Sequence, residues 1–440
     1  MDARTNAWWL GTLTVLVALM PLSFAVSLHA KALPAFLLLI AGLILIFRQP
    51  SARACYRPAR PVVAVCALAV IYPALNILGH GLGWDAFDLP SHILLYLGIA
   101  AVFSLPLRMR WVWLGFSATA IFLGIVCVVQ HFVLRIDRAF GLNGGDWGAI
   151  EFAMVLLVLS LSAWLQLFYA SGRLFDKAVH GLGAMLGMYG AMLTQSRGPL
   201  LAFVPVLLFM LVIYARRTGR WMHVLLLLVA IIGAGALAAN SVHNVNRLTP
   251  TSTSSAGPST TAGSASVFVK RFADIGSEIA TYNPKTDSRG AIRERLEMWH
   301  TAILAFMAHP LAGVGIDQFG VYTRQQVAEG YANAAIAKYE HPHNEYLEAA
   351  ATGGAPGLLV ILLVFAVPLV HFTRHALHAP DSEIIPACVG AATVGMYALC
   401  GLSDNVFYRA MPHSLYFFLI LGLAVRIGRR QSSMEVAPFV

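Results

Sequence analysis

Charge is what this sequence has least of: only 12% of its 440 residues are Asp, Glu, Lys or Arg, against 58% hydrophobic. A soluble globular domain carries roughly 25% charged residues, so that class is excluded. Cysteine is also scarce. Of the five, Cys55 falls in a connecting segment and Cys66, Cys127, Cys388 and Cys400 in apolar runs. None lies in the polar stretch near 240–345, so no disulfide framework is expected there. The strict alternation of membrane-barrel strands is missing, as are heptads and repeats of 20–50 residues, which removes barrels, coiled coils and solenoids. Ionisable residues are nearly absent from the apolar runs, unlike transporters and pumps, which carry them at mid-membrane depth. His180 is the main exception, and a lone histidine near a span end reads as a hydrogen-bonded structural residue.

What the sequence does have is long apolar runs near the ~20 residues that cross a bilayer as a helix. Backbone amides in hydrocarbon must be satisfied within the segment, so these runs are helices. The expected spans are 7–27, 30–47, 61–79, 90–107, 111–131, 150–171, 178–194, 199–215, 221–239, 346–371, 384–402 and 413–427. The first exceeds the apolar core of a signal peptide and has only Arg4 before it, so it reads as a retained span. The fold class is therefore all-α: a polytopic membrane protein of about twelve transmembrane helices with a large periplasmic loop containing amphipathic helices.

The basic balance follows from topology. With the N-terminus cytoplasmic, that side collects 16 of the 30 Lys and Arg, including Arg48, Arg53, Arg57, Arg216, Arg217 and Arg220, against five acidic residues, a net +11. The other side has 14 basic and 16 acidic residues, a net −2. This positive-inside bias puts both termini in the cytoplasm and gives no reason to invoke nucleic acid.

Three parts follow: helices one to nine over 1–239, a loop over 240–345, and helices ten to twelve with a cytoplasmic tail over 346–440. Residues 250–266 contain only Pro, Thr, Ser, Ala and Gly, a composition that buries no core and reads as a flexible tether. Amphipathic helices are expected over 290–340. Ile292, Leu296, Trp299, Ile303 and Phe306 make the apolar stripe of the first, opposite Arg293, Glu294, Glu297 and His300. His309–Gly315 ends it in a Pro and Gly turn, and a second helix is expected over 316–339.

The densest chemistry is His341-Pro342-His343-Asn344-Glu345. Two histidines and a glutamate invite a metal, but helical ligand sets favour i, i+3 or i+4 spacing and Pro342 forces an extended entry. No second Cys or His group lies nearby in sequence, so no metal and no cofactor are expected. Two readings stay open: a cap, with Asn344 at the helix start, or a histidine general base. Arg197 breaks the inside-positive pattern, in a Ser-Arg-Gly-Pro segment where a helix begins. A guanidinium there suits bidentate phosphate binding, and a helix N-terminus adds anion affinity. Arg289, Arg293 and Arg295 lie in the loop on the same side. The outer acids Asp85, Asp88, Asp137, Asp146 and Asp404 are scattered, which argues against a carboxylate-based metal enzyme.

Ser196-Arg197-Gly198, Arg295-Leu296-Glu297-Met298-Trp299, Pro310-Leu311-Ala312-Gly313-Val314-Gly315 and His343-Asn344-Glu345-Tyr346-Leu347, with Gly353 and Gly357 beyond, resemble in order and spacing the O-antigen ligase/polymerase superfamily, most of all its ligases. The resemblance implies an inverting, metal-independent glycosyltransferase at the periplasmic face of the bacterial inner membrane. Its implied donor is an undecaprenyl-pyrophosphate-linked glycan and its implied acceptor lipid A–core oligosaccharide, with membrane lipids as surroundings. The polymerase and protein-glycosylating branches share the donor. A lipid or glycan transporter is the more remote alternative. His343 matches the base position and Arg197, Arg289 and Arg295 the pyrophosphate contacts, with Asn344, His341 and Arg293 in support. The 250–266 tether maps to no family feature.

Overall fold

The computed structural model describes residues 3–26, 32–142, 148–169, 173–222, 225, 291–378 and 380–435, and among these there is no strand. Fourteen α-helices follow in order: α1 (Ala3–Val26), α2 (Ala32–Arg48), α3 (Pro50–Ala54), α4 (Arg60–His80), α5 (Asp88–Ala100), α6 (Met109–Val128), α7 (Ala149–Tyr169), α8 (Leu174–Leu193), α9 (Arg197–Thr218), α10 (Ala291–Ala308), α11 (Phe319–Ala328), α12 (Glu345–His378), α13 (Asp381–Cys400) and α14 (Ala410–Glu435). The chain is an all-α polytopic membrane protein. Among the described residues nine segments are long and apolar enough to cross a bilayer. Two further expected spans are helical but fall short of that measure: α2 has 17 residues, and α8 carries Asp176, Lys177 and His180. Most of the expected span over 221–239 lies outside the described residues, as do the 250–266 tether and Arg289.

α7 is the axis of the bundle, buried along nearly its whole length and touching α6, α8, α9, α13 and α14. Apolar side chains alone do not drive helices together in lipid, so close association depends on small residues and polar links. Both occur around α8. A Cβ on Gly124 of α6 would lie 2.4 Å from the Leu186 carbonyl oxygen, and one on Gly187 would lie 3.0 Å from the Ser160 side chain. His180 is hydrogen-bonded inside the bundle: its Nδ1 lies 2.8 Å from Ser117 Oγ. Nearby, Arg110 grips Asp176 bidentately, both contacts 2.8 Å.

The expected plain span over 346–371 is instead a broken helix. Gly354 of α12 leaves helical geometry, with φ 63° and ψ −161°. Two residues later Pro356 has no amide hydrogen to give Thr352, so the break frees carbonyls that need donors. The Pro310–Gly315 turn supplies them: Val314 N donates to Ala351 O at 2.9 Å and Gly315 N to Thr352 O at 3.0 Å, while Ala355 N donates to Pro310 O at 2.7 Å. Backbone must approach backbone for this. A Cβ on Gly313 would stand 2.2 Å from the Thr352 carbonyl carbon, and one on Gly354 2.6 Å from that of Leu311. α4 clasps the same turn from outside, with Asn76 Nδ2 donating to Ala312 O at 2.8 Å and its Oδ1 accepting from Ile316 N at 3.0 Å.

The second amphipathic helix is shorter than expected: α11 ends at Ala328, and only a 3₁₀ turn over Ala334–Ile336 follows. Gly330, at φ 80°, is the left-handed stop after it, and Asn333 caps the 3₁₀ turn by accepting from Ala335 N. The buried face of α10 also differs from the expected stripe. Met298, Ala302 and Ala305 are buried against Phe319 and Ile336, with Glu297 buried among them, whereas Ile303 is 44% exposed. Glu297 is tolerated inside because its Oε1 accepts from Asn333 N at 3.2 Å.

Candidate active site

Four chain segments meet at one end of the bundle. The first is the approach to α12. His343 adopts a left-handed φ of 51°, a conformation that costs a residue with a Cβ on the order of 1–2 kcal/mol. Hydrogen bonds on both sides hold it there. Trp299 Nε1 donates to Pro342 O at 3.0 Å, and Asn344 N donates to Asn405 Oδ1 at 2.9 Å. Asn344 Oδ1 then accepts from Tyr346 N and Leu347 N, both at 3.0 Å, so Asn344 is an N-cap.

The second segment is the turn after α13, which presents Asp404. Its Oδ1 lies 2.8 Å from His343 Nδ1 and accepts from Asn405 N at 2.9 Å. Burial pushes the Asp404 carboxyl up, but the His343 hydrogen bond, with the charges of His343, Arg295 and His341, outweighs it and holds the group below its ordinary value. An ionised carboxylate only accepts, so Nδ1 of His343 is the donor to Asp404, and in the neutral imidazole the lone pair is then on Nε2. That arrangement readies an imidazole to take a proton at Nε2.

Arginines come from the other two segments. Arg295 of α10 is close enough for its charge to act on Asp404. Arg197 opens α9 and is partly buried. The next residue, Gly198, packs so tightly on Ser403 that a Cβ would sit 2.3 Å from its Oγ, which brings the start of α9 to the residue before Asp404. Ser196 is buried and donates to Ala149 O at 3.1 Å. His343 and Asn344 thus meet the Ser403–Asn405 turn, the charge of Arg295 reaches Asp404, and the start of the Arg197 helix packs on Ser403. Arg293 lies on α10 two residues from Arg295, about 200° around the helix, and so projects to a different side.

His341 stands beside this group, its ring centroid 4.5 Å from that of His343 and 4.3 Å from that of Tyr408. Its Nδ1 lies 3.2 Å from Asn405 Oδ1. Burial first, then the His343 charge, push it down to about 4. The expectation of no metal drew on the lack of a further ligand near the histidines in sequence. The fold supplies one, since His341, His343 and Asp404 place one ligand-type atom each within 4.8 Å of one another. Asp404 Oδ1 is already engaged by His343.

Sequence reasoning missed three contributors. Asp404 was grouped with scattered acids, although the Ser-Asp-Asn run after an apolar span carried turn chemistry. Arg409 was overlooked: its Nε is 2.9 Å from Oε1 of buried Glu151, and its charge reaches His341. Arg138 locks the approach to α9, donating from Nε to Thr194 O at 2.9 Å and from Nη2 to Ser196 Oγ at 3.3 Å.

Residues 182–362 match a family model described as O-antigen ligase. That segment contains the start of α9, all of α10 and α11, and the His343 approach. An uncharacterized protein of Haemophilus influenzae is 21% identical over 306 residues, covering 68% of this chain and 69% of the relative.

Proposed function

The chain belongs to the O-antigen ligase/polymerase superfamily, and from that premise we propose that it is an O-antigen ligase-type glycosyltransferase moving a glycan from undecaprenyl pyrophosphate to lipid A–core oligosaccharide. The observation that carries the reading is the His343–Asp404 pair with Arg295 beside it and the Arg197 helix start packed on Ser403. An acceptor hydroxyl is a poor nucleophile at neutral pH and needs a base. Nε2 of His343 takes its proton as the oxygen attacks the anomeric carbon. The bond from that carbon to the pyrophosphate oxygen breaks on the opposite side, inverting the centre, and undecaprenyl pyrophosphate leaves with the electron pair. The negative charge developing there is what Arg197, Arg295 and Arg289 stabilise, which needs no divalent ion. Asn344 and Asp404 hold the base and His341 packs against it, whereas Arg293 projects to another side of α10 and takes no part in the step.

The setting is the inner membrane, with both termini cytoplasmic and the His343 end of the bundle facing the periplasm, as the charge bias favours. The polymerase and protein-glycosylating branches are the near alternatives, since they use the same donor. A metal-assisted variant has one observation in its favour, the His341–His343–Asp404 cluster.

Purified protein in detergent or vesicles, given lipid-pyrophosphate donor and lipid A–core with EDTA present, tests the reading. Transfer that persists in chelator and collapses in His343→Ala supports it. Chain growth on the donor itself would assign the polymerase branch, loss of transfer in EDTA the metal variant, and full activity in His343→Ala would remove the base.

A further inference from the structure

A cavity of about 420 Å³ borders the His343 site, within the ~300–1,000 Å³ range of small-molecule pockets. Its lining gathers five carboxyl groups, Asp85, Asp88, Asp317, Glu345 and Glu348, from three stretches of the chain. Among the described residues no lysine or arginine lines it. Apolar side chains such as Ile93, Ile361 and Phe417 make the remaining wall. Two residues join it to the catalytic pair. Asn405 lines the cavity and follows Asp404, while Tyr408 lines it and lies against His341.

We infer that this cavity is the acceptor subsite, and that it takes an uncharged sugar residue through hydrogen bonds from the sugar's hydroxyls to Glu348, Asp317 and their neighbours. The inference rests on the transferase reading and names the substrate that the acidic side of the site holds. A pyrophosphate is disfavoured there, because among the described residues no lysine or arginine lines the cavity to offset its charge and any carboxylate that ionises repels it. Carboxyl groups, by contrast, accept from sugar hydroxyls, and an apolar wall suits the C–H faces of a pyranose. Glu348 points to such a donor directly. Its Oε2 is closed off from solvent and accepts no hydrogen bond, whereas Glu345 Oε2 is satisfied by Phe407 N at 3.1 Å. Glu348 lines the cavity, and its unsatisfied carboxyl oxygen gains a partner when the group turns toward a donor held there. A cation is the weaker fit: among the described residues the ligand-type side chains that converge in threes are His341, His343 and Asp404, not the cavity acids. The anionic donor and the uncharged acceptor sugar thus meet His343 through different linings, one of arginines and one of carboxyl groups and apolar side chains.

Binding measured without chemistry tests this. Titration calorimetry in detergent would use dephosphorylated core oligosaccharide in one arm and undecaprenyl pyrophosphate in the other, on wild type, Glu348→Gln, Asp317→Asn and Arg197→Ala. Each acid variant should weaken oligosaccharide binding about tenfold, the size of one lost hydrogen bond, and leave the lipid arm within about twofold. Arg197→Ala should do the reverse. Oligosaccharide binding that is absent in wild type, or unchanged in both acid variants, overturns the inference. So does a loss confined to the lipid arm of the acid variants. Failure of wild type to bind undecaprenyl pyrophosphate would strike the transferase reading instead.

Discussion

His343 Nδ1 and Asp404 Oδ1 stand 2.8 Å apart across 61 residues of chain, one at the mouth of α12 and the other in the turn after α13. The pair fixes which nitrogen of the histidine is free. Asp404→Asn replaces an acceptor-only carboxylate with a group that can also donate, and so releases the tautomer. Transfer should fall by about 10²–10⁴, the range for a general base. The double variant with His343→Ala should be little worse than His343→Ala alone, because the two act as a unit. Independent, multiplying losses would show that Asp404 acts elsewhere.

Arg197 and Arg295 are expected to act on the donor. Arg→Lys at either position keeps the charge but loses the planar fork, so KM for the lipid-pyrophosphate should rise while KM for the acceptor stays level. A rise of about tenfold corresponds to ~1.4 kcal/mol of lost binding. Steady-state kinetics with each substrate varied in turn would reveal a shift in acceptor KM, which would contradict the assignment.

Arg409 and Glu151 make a prediction about stability. Removing Arg409 leaves a buried carboxylate unpartnered, which costs about 3–5 kcal/mol where both groups are buried. The Arg409 side chain is 42% exposed, so a smaller loss of about 1 kcal/mol is expected here. Arg409→Met should lower the thermal midpoint, and adding Glu151→Leu should restore part of it. No recovery in the double variant would mean the pair is not what holds the start of α7 to this turn.

The break in α12 should be intolerant of a single methyl group. Gly313→Ala and Gly354→Ala each force a Cβ against backbone at positive φ, and should cost about 2 kcal/mol or more. Gly79→Ala, with nothing within 4 Å of its Cβ, should be neutral or slightly stabilising. Equal midpoints for all three proteins would be incompatible with the backbone contacts at the break.

Protonation of His341 gives a pH dependence of defined sign. Burial, then the His343 charge, hold its imidazole at about 4 despite the opposing pull of Asp404, whereas an unfolded-chain histidine titrates near ~6.5. As pH falls, the unfolded chain takes up the proton first. This contribution to stability is complete above about 6.5 and is lost progressively as pH drops towards 4. His341→Gln should flatten the midpoint-versus-pH curve in that window; an unchanged slope would assign the effect to other groups.

How far the sequence reaches is clearest at particular residues. The apolar runs determine the all-α membrane architecture by themselves, because hydrocarbon leaves the backbone no other way to satisfy its amides. The helix over 291–308 and the cap at Asn344 are equally local, set by periodicity and by side chain-to-backbone hydrogen bonding within a few residues. His343, Arg197 and Arg295 stand out by type, motif and side of the membrane. Their convergence does not. It depends on Gly198 packing against Ser403 and on α10 folding over the mouth of α12, contacts between residues far apart in sequence. Asp404 is one acid among several in the sequence and becomes the partner of His343 only when α13 returns beside α12. The same holds for the α12 break, whose carbonyls are satisfied by a turn some forty residues earlier, and for the five carboxyls of the cavity. Helices and caps follow from short-range sterics and desolvation, which a sequence displays directly. Which side chains share a site follows from how helices pack, and only the tertiary structure decides that.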